Sequence, residues 1–219
     1  MLRLILSFLS AGALLAGSLT RDATRAQGVQ EPEVLDAQVK KFLDSRRGSW
    51  HDLNVPEADG RKLHDLIVER KFRNALEIGT STGHSGIWIA WGLSKTGGRL
   101  ITVEIDRGRH EQALANFRAA GLAALIDARL GDAHELVPAL PGPFDFVFCD
   151  ADKDWYGKYF EAVLPKLSPG GCFAAHNISE RGYGGDYSRR FLQQVRNLPG
   201  LETTLFTAGG GMSITCRTR

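Results

Sequence analysis

From residue 56 onward the chain alternates between two hydrophobic patterns. A helix-type pattern over 56–70 gives way to the compact run Asn74-Ala-Leu-Glu-Ile78, which reads as a strand and ends in a glycine-rich turn. The cycle then repeats: a helix over 85–94, a strand over 99–104, a helix over 107–120 and a short strand over 125–130. A helix over 133–140, a strand over 144–149, a helix over 154–167, a strand over 171–175 and a helix over 187–197 continue it. Two β-like runs close the chain, 201–207 and 212–217, joined by Ala208-Gly-Gly-Gly211, a turn signal that predicts an antiparallel hairpin. Strand and helix alternating this regularly predict an α/β fold: a doubly wound, Rossmann-like, seven-stranded and mostly parallel sheet with a C-terminal antiparallel hairpin.

The stretch before this pattern has a different character. Residues 1–26 start with one early cation, Arg3, followed by an uncharged apolar run to Gly17. That run is shorter than the ~20 residues that span a bilayer. Ala16/Ser18 and Thr24/Ala26 are small-residue pairs of the kind found at cleavage sites, so the segment reads as a signal peptide. The expected location is then secreted or periplasmic, with no stable membrane span in the mature chain. Arg21 and Arg25 on the far side suit an uncleaved anchor with a cytoplasmic body instead, and translation from a later start such as Val29 would also leave a cytoplasmic protein. Residues 27–52 read as a polar linker with a short amphipathic helix, and residues 53–219 as the main domain.

Composition narrows the function classes. Of 219 residues, 43% are hydrophobic and 24% charged, enough for a sizeable core, which excludes a disordered, collagenous or multi-span membrane protein. Lys+Arg 27 against Asp+Glu 25 gives a net charge of +2, without the basic excess of a nucleic-acid binder. The 3 cysteines (Cys149, Cys172, Cys216) are too few and scattered for a disulfide framework or a Cys-based zinc site. Each lies in an apolar strand-like run, so all are expected as core thiols.

In such a sheet, ligands bind at the carboxyl ends of the strands. The first strand is followed by Glu77-Ile-Gly79-Thr-Ser-Thr-Gly83-His-Ser85-Gly86, with Ser81 where a dinucleotide fingerprint places its middle glycine. That substitution removes the room for a pyrophosphate and favours a nucleoside without phosphates; a purely structural turn is the alternative. Glu104 ends the second strand, where a carboxylate can accept hydrogen bonds from both ribose hydroxyls, whereas Asp106 suits a helix start. After the third strand comes Gly131-Asp-Ala133-His134, where a small residue can lie against adenine and Asp132 can cap a helix. The fourth is followed by Asp150-Ala-Asp-Lys153-Asp-Trp-Tyr156 and the fifth by His176-Asn177. If those strands are neighbours, Asp150, His176 and Asn177 converge on a point that can serve as a divalent metal site. The other histidines show no i, i+4 pairing of the helical zinc type.

Taken together, from about Leu53 to the C-terminus, these motifs resemble the cation-dependent O-methyltransferases, the family of catechol and caffeoyl-CoA O-methyltransferases. Phe144-Asp-Phe-Val-Phe-Cys-Asp150-Ala-Asp-Lys153-Asp-Trp-Tyr156 is similar to the fourth-strand motif of the caffeoyl-CoA branch. The resemblance implies a class I methyltransferase fold and S-adenosyl-L-methionine (SAM) as cofactor. It implies Val55 at the methionine moiety, Glu77 and Gly79 in the glycine motif, Ser85 at the methionine carboxylate and Glu104 at the ribose. Ala133 and His134 line the adenine, and Asp150 closes the cofactor site beside the acceptor. The expected reaction is methyl transfer to a hydroxyl of a small, catechol-like aromatic acceptor, with homodimerisation as a family habit. Trp50–Leu53 and Ile178–Tyr187 are the expected acceptor walls, with Trp155 and Tyr183 as aromatic candidates and core packing as the alternative for Trp155. By resemblance Lys153 is the first candidate base and His176 the second.

One position departs from the family pattern, which has Asp-Asn after the fifth strand where this chain has His176-Asn177. Magnesium prefers oxygen ligands, whereas imidazole suits Mn, Fe, Co or Zn. The alternative is no metal, with His176 as base. Two other functions compete: a SAM-binding protein with lost catalysis, and an NAD(P)-dependent oxidoreductase. Against the latter stand the glycine spacing and the lack of any Tyr-x-x-x-Lys in the sequence.

Overall fold

The computed structural model describes residues 32–51, 53–180 and 185–218. The signal-like segment 1–26 and Tyr183 lie outside the described residues.

Seven strands form one sheet: β1 (Asn74–Ile78), β2 (Arg99–Glu104), β3 (Ile126–Leu130), β4 (Phe144–Cys149), β5 (Leu167–His176), β6 (Leu201–Phe206) and β7 (Met212–Arg217). Their order is β3-β2-β1-β4-β5-β7-β6. β1 to β5 run parallel, and β7 pairs antiparallel with both β5 and β6. The chain reverses its direction of winding between β1 and β4, the switch point where such sheets bind ligands.

The helices are α1 (Pro32–Ser45), α2 (Glu57–Arg70), α3 (His84–Thr96), α4 (Arg107–Ala119), α5 (Ala133–Ala139), α6 (Tyr156–Val163) and α7 (Gly185–Arg196). Side chains alternate across each strand and so feed two separate cores. Phe146, Phe148 and Ala174 face Leu63, Ile67, Ile87 and Trp88 of α2 and α3. Val147, Phe173 and Ala175 face Val137, Phe160, Val163 and Phe191 on the other side. Each fully buried Phe or Ile contributes roughly 1.5–3 kcal/mol relative to exposure. α2 lies so close to α3 that a Cβ at Gly60 would sit 2.2 Å from Trp88 Cδ1. α1 is anchored to the α3 side, where Asp36 Oδ1 accepts from Trp91 Nε1–H at 2.7 Å and Val39 is buried.

The helix expected over 154–167 is shorter than its sequence pattern. A 3₁₀ turn at Lys153–Trp155 precedes α6, and a second at Leu164–Lys166 ends it. Pro165 lies in that second turn, where its ring and missing N–H prevent continuation. β5 starts at Leu167 rather than 171, across a register shift opposite Phe144/Phe146. It also runs one residue further, so His176 is its last residue and Asn177 leaves it at φ 55°.

The expectation of three core thiols is corrected. Cys172 on β5 and Cys216 on β7 are direct cross-strand partners with Cα atoms 4.0 Å apart, and they form a disulfide. Cys149 stays a free, buried thiol. The pairing was hidden because 44 residues separate the two cysteines and only the antiparallel β5–β7 register brings them together. Thiol titration of the denatured, unreduced protein is expected to count one reactive thiol per chain, and three after reduction; three before reduction would show that the bridge does not form.

Candidate active site

At the carboxyl ends of β1 to β4 a cavity of about 370 Å³ is lined by Gly79, Glu104, Ala133, His134 and Asp150, five of the residues expected at the cofactor. Gly79 turns there at φ +95°, and a Cβ on it would meet the Asp150 carbonyl oxygen at 2.9 Å, so only glycine lets β1 and β4 close up at this point. Ser81, in place of the dinucleotide glycine, takes φ 50° and gives its N–H to Glu104 Oε2 at 2.7 Å. Asp106 N–H donates to Glu104 Oε1 at 2.9 Å. The carboxylate is therefore fixed by backbone amides, and each oxygen keeps acceptor capacity for a further donor such as a ribose hydroxyl.

Asp106 and Asp132 take the structural roles open to them, capping α4 and α5 through the N–H groups of Arg109 and His134. Sequence reasoning missed Ile105, which lines the cavity although it is 68% exposed. An isolated apolar residue between two strand-end acids was the available signal. His134 stacks on Trp155 with ring centroids 3.6 Å apart, and Lys158 Nζ lies 3.9 Å from the centroid of the same indole. Trp155 is thus packed beside the nucleoside pocket.

Val55, Glu77 and Ser85 do not line this cavity; Glu77 and Ser85 are buried beside its glycine turn, and Val55 braces His84. Glu77 is fully buried, bonded by the Thr102 and Ser85 hydroxyls. Burial pushes its carboxyl up to about 8 against those hydrogen bonds, helped by the Asp150 and Glu104 charges. The Val55 carbonyl accepts from His84 Nδ1–H at 2.9 Å, which leaves Nε2 to accept from Trp88 Nε1–H at 3.1 Å. Burial pushes that imidazole down to about 4, so His84 is a neutral brace at pH 7.

The reactive end is built by β4, β5 and a partner the sequence pattern did not flag. Lys153 Nζ bonds Asp150 Oδ1 and lies 2.8 Å from Tyr156 Oη, whose own O–H donates to the His176 carbonyl at 3.1 Å. His176 is only 4% exposed. Its Nε2 bonds Asp59 Oδ2 at 2.9 Å. Its Nδ1 is an ion-pair contact of 3.1 Å from Asp150 Oδ2, outside hydrogen-bond geometry. Asp59 is fully buried and also accepts from Gly210 N–H at 2.7 Å. The signal for Asp59 was its place on the apolar stripe of α2, one turn before Leu63. The Ala208–Gly211 segment, read only as a turn, packs over this pair: a Cβ on Gly209 would meet Asp59 Oδ1 at 2.2 Å, and one on Gly210 would meet His176 Nε2 at 2.8 Å.

Asp150 and His176 meet at 3.1 Å, with Asn177 next in the chain, but this donor set does not fit a magnesium site. Both Asp150 oxygens face nitrogen groups, and Asn177 Nδ2 donates to the Gly210 carbonyl at 3.5 Å. Among the described residues no group of three or more His, Cys, Asp and Glu is arranged to hold a metal ion. The surroundings of His176 favour a charged ring over a free base. Burial opposes its charged form, yet the Asp150 and Asp59 carboxylates outweigh burial and push it up to about 9. A ring already protonated at pH 7 has no site for another proton.

The sheet order, the glycine turn and the strand-end carboxylates are those of a methyltransferase. The O-methyltransferase family model matches residues 25–207, and the chain belongs to that family. Catechol O-methyltransferase of Niastella koreensis is 38% identical over 134 residues, covering 59% of this chain and 60% of its own length. Catechol O-methyltransferase of Mycobacterium tuberculosis is 34% identical over 71% of this chain and 74% of its own. Among solved structures, an O-methyltransferase from Bacillus cereus in complex with SAH superimposes with a TM-score of 0.72 at 29% identity, over 84% of this chain and 91% of that one. TomG from Streptomyces achromogenes, in complex with SAM, gives 0.70 at 30% identity over 83% and 90%. Membership of this family sets the oxidoreductase alternative aside.

The His176 ion pairs make stability depend on pH. Its folded pKa of about 9 stands above the ordinary ~6.5, so its contribution is fully present below pH ~6.5 and is lost as pH rises through 9. Denaturant melts should show the stability gap between wild type and His176→Gln closing by the order of a few kcal/mol over that window; a gap independent of pH would rule out the protonated ring.

Proposed function

We propose that this chain transfers the methyl group of SAM to a hydroxyl of a small, catechol-like aromatic acceptor, with Lys153 taking the acceptor's proton. The observation that carries the reading is one cavity shared by Glu104, built to receive vicinal hydroxyls, and Asp150, which holds Lys153. Bound SAM supplies an electrophilic methyl carbon on its sulfonium. The chain's own residues do the rest. Glu104 receives the ribose hydroxyls, while Ile105, Ala133 and His134 flank the adenine. Lys153 acts once it has given its own proton to solvent: the acceptor O–H then passes its proton to Nζ, and the ammonium so re-formed rests against Asp150 and Tyr156 Oη. Holding the two reactants in line is worth ~7–11 kcal/mol in favourable cases.

Lys153→Ala is expected to lower kcat by ~10²–10⁴, the usual contribution of a general base, with SAM affinity by calorimetry changed little. Glu104→Ala should do the reverse first, weakening SAM binding by ~10-fold or more, the loss of charge-assisted hydrogen bonds. A fully active Lys153→Ala variant would remove it as base. SAM binding without transfer to any of a broad hydroxyl-acceptor panel would favour the binding protein with lost catalysis.

The body of the protein is proposed to reside in an oxidising compartment. Two independent features support this: the Cys172–Cys216 bridge, of a kind rare in the cytosol, and the signal-like segment 1–26. Fractionation of cells producing the full chain should recover it outside the cytoplasm with its N-terminus cut within residues 16–27. Uncut, cytosolic, three-thiol protein would refute the assignment.

A further inference from the structure

We infer that His176 stands in for a divalent cation: clamped between Asp59 and Asp150, its ring braces the acceptor end of the site, which then operates without a metal and without the need for a vicinal diol. The inference deepens the methyl-transfer reading and rests on it for the acceptor claim; the metal claim stands by itself.

The geometry points this way from several sides. A hard cation collects six or more oxygens at 2.0–2.6 Å in a typical protein site. Here the one carboxylate the site would offer faces nitrogen on both oxygens, hydrogen-bonded by Lys153 Nζ on Oδ1 and in ion-pair contact with the His176 ring on Oδ2. The second carboxylate, Asp59, lies on the far side of the ring and is held there by Gly210 N–H at 2.7 Å. Asn177 Nδ2 makes a long 3.5 Å contact with the Gly210 carbonyl, which leaves a single neutral amide oxygen to offer a cation.

Nor is the ring a loose substitute. Helix α2, the end of β5 and the β6–β7 turn are all shaped around it. Any side chain at Gly209 or Gly210 would collide with Asp59 or with the ring itself, at 2.2 and 2.8 Å. The Tyr156 O–H holds the same residue by its carbonyl. Asp59 and His176 are therefore positioning residues: they fix the Asp150 carboxylate, and Asp150 fixes Lys153.

A consequence for specificity follows from simple coordination chemistry. A cation that chelates its acceptor selects two adjacent oxygens. A lysine that accepts one proton needs a single hydroxyl. Acceptors with one phenolic hydroxyl should therefore react as well as catechols.

The test uses the full chain. Elemental analysis after purification, followed by calorimetric titration with Mg²⁺, Mn²⁺ and Zn²⁺, should find no stoichiometric site. Methyl transfer should be unchanged by EDTA, and a monophenol should match the corresponding catechol within about tenfold in kcat/KM, about 1.4 kcal/mol. His176→Asp should acquire a titratable Mg²⁺ or Mn²⁺ site. Should three clustered carboxylates unfold it, Asp59→Asn with His176→Asp carries the same expectation. One equivalent of Mn²⁺ or Zn²⁺ on wild type, lost in His176→Ala, would overturn the inference by making Asp59 the orienting partner of a metal-binding imidazole. Activity abolished by EDTA, or a strict diol requirement, would overturn it as well. Failure of every acceptor would sink the methyl-transfer reading alone, since the metal titrations need no turnover.

Discussion

A single imidazole between two carboxylates is the constraint around which the acceptor half of this molecule is arranged. Taking charges out of water costs several kcal/mol per ion, and the cost is recovered only when partners are close and remaining polar groups are satisfied. The chain meets the first part of that condition by bringing together four distant pieces: Asp59 from α2, Asp150 after β4, His176 at the end of β5, and the Gly210 amide from the β6–β7 turn; Asp59 Oδ1 and His176 Nδ1 stay without a hydrogen-bond partner. None of the four is useful alone. Removing one partner of such a buried arrangement typically costs ~3–5 kcal/mol, because it strands the charge of another.

The nucleoside half works by different physics. There the backbone supplies most of the order: a glycine that lets two strands touch, a serine in a left-handed conformation, and two amides that hold a carboxylate in place. Such a surface is ready for its ligand before the ligand arrives, so little entropy is lost on binding. Glu77 and Ser85 belong to this half as underpinning. Their bond lies beneath the turn, where the carboxyl is more easily kept neutral than ionised.

Much of this was legible in the sequence. The bounds of β1, β2, β4 and β7 coincide with their apolar runs, because a strand buried on both faces has little choice about where it begins and ends. The strand-end rule found Glu104, Asp150, Lys153 and His176. What escaped it depends on contacts between remote segments. Asp59 is 117 residues from His176, and Cys172 pairs with Cys216 only through strand register. The three-glycine turn looked like simple punctuation because its crowding comes from α2 and β5 rather than from its own neighbours. Ile105 escaped for the opposite reason: its signal is purely local, one exposed aliphatic residue between two acids, which is easily passed over as ordinary surface.

The fit between Gly209, Gly210, Asp59 and His176 also limits how this lineage can change. A carboxylate at position 176 would face Asp59 across a dry gap, and a larger residue in the turn would push into the imidazole. Either step taken alone crowds or strands its neighbours. These four positions should therefore be inherited as a block, and a descendant that exchanges one of them must alter the others in concert.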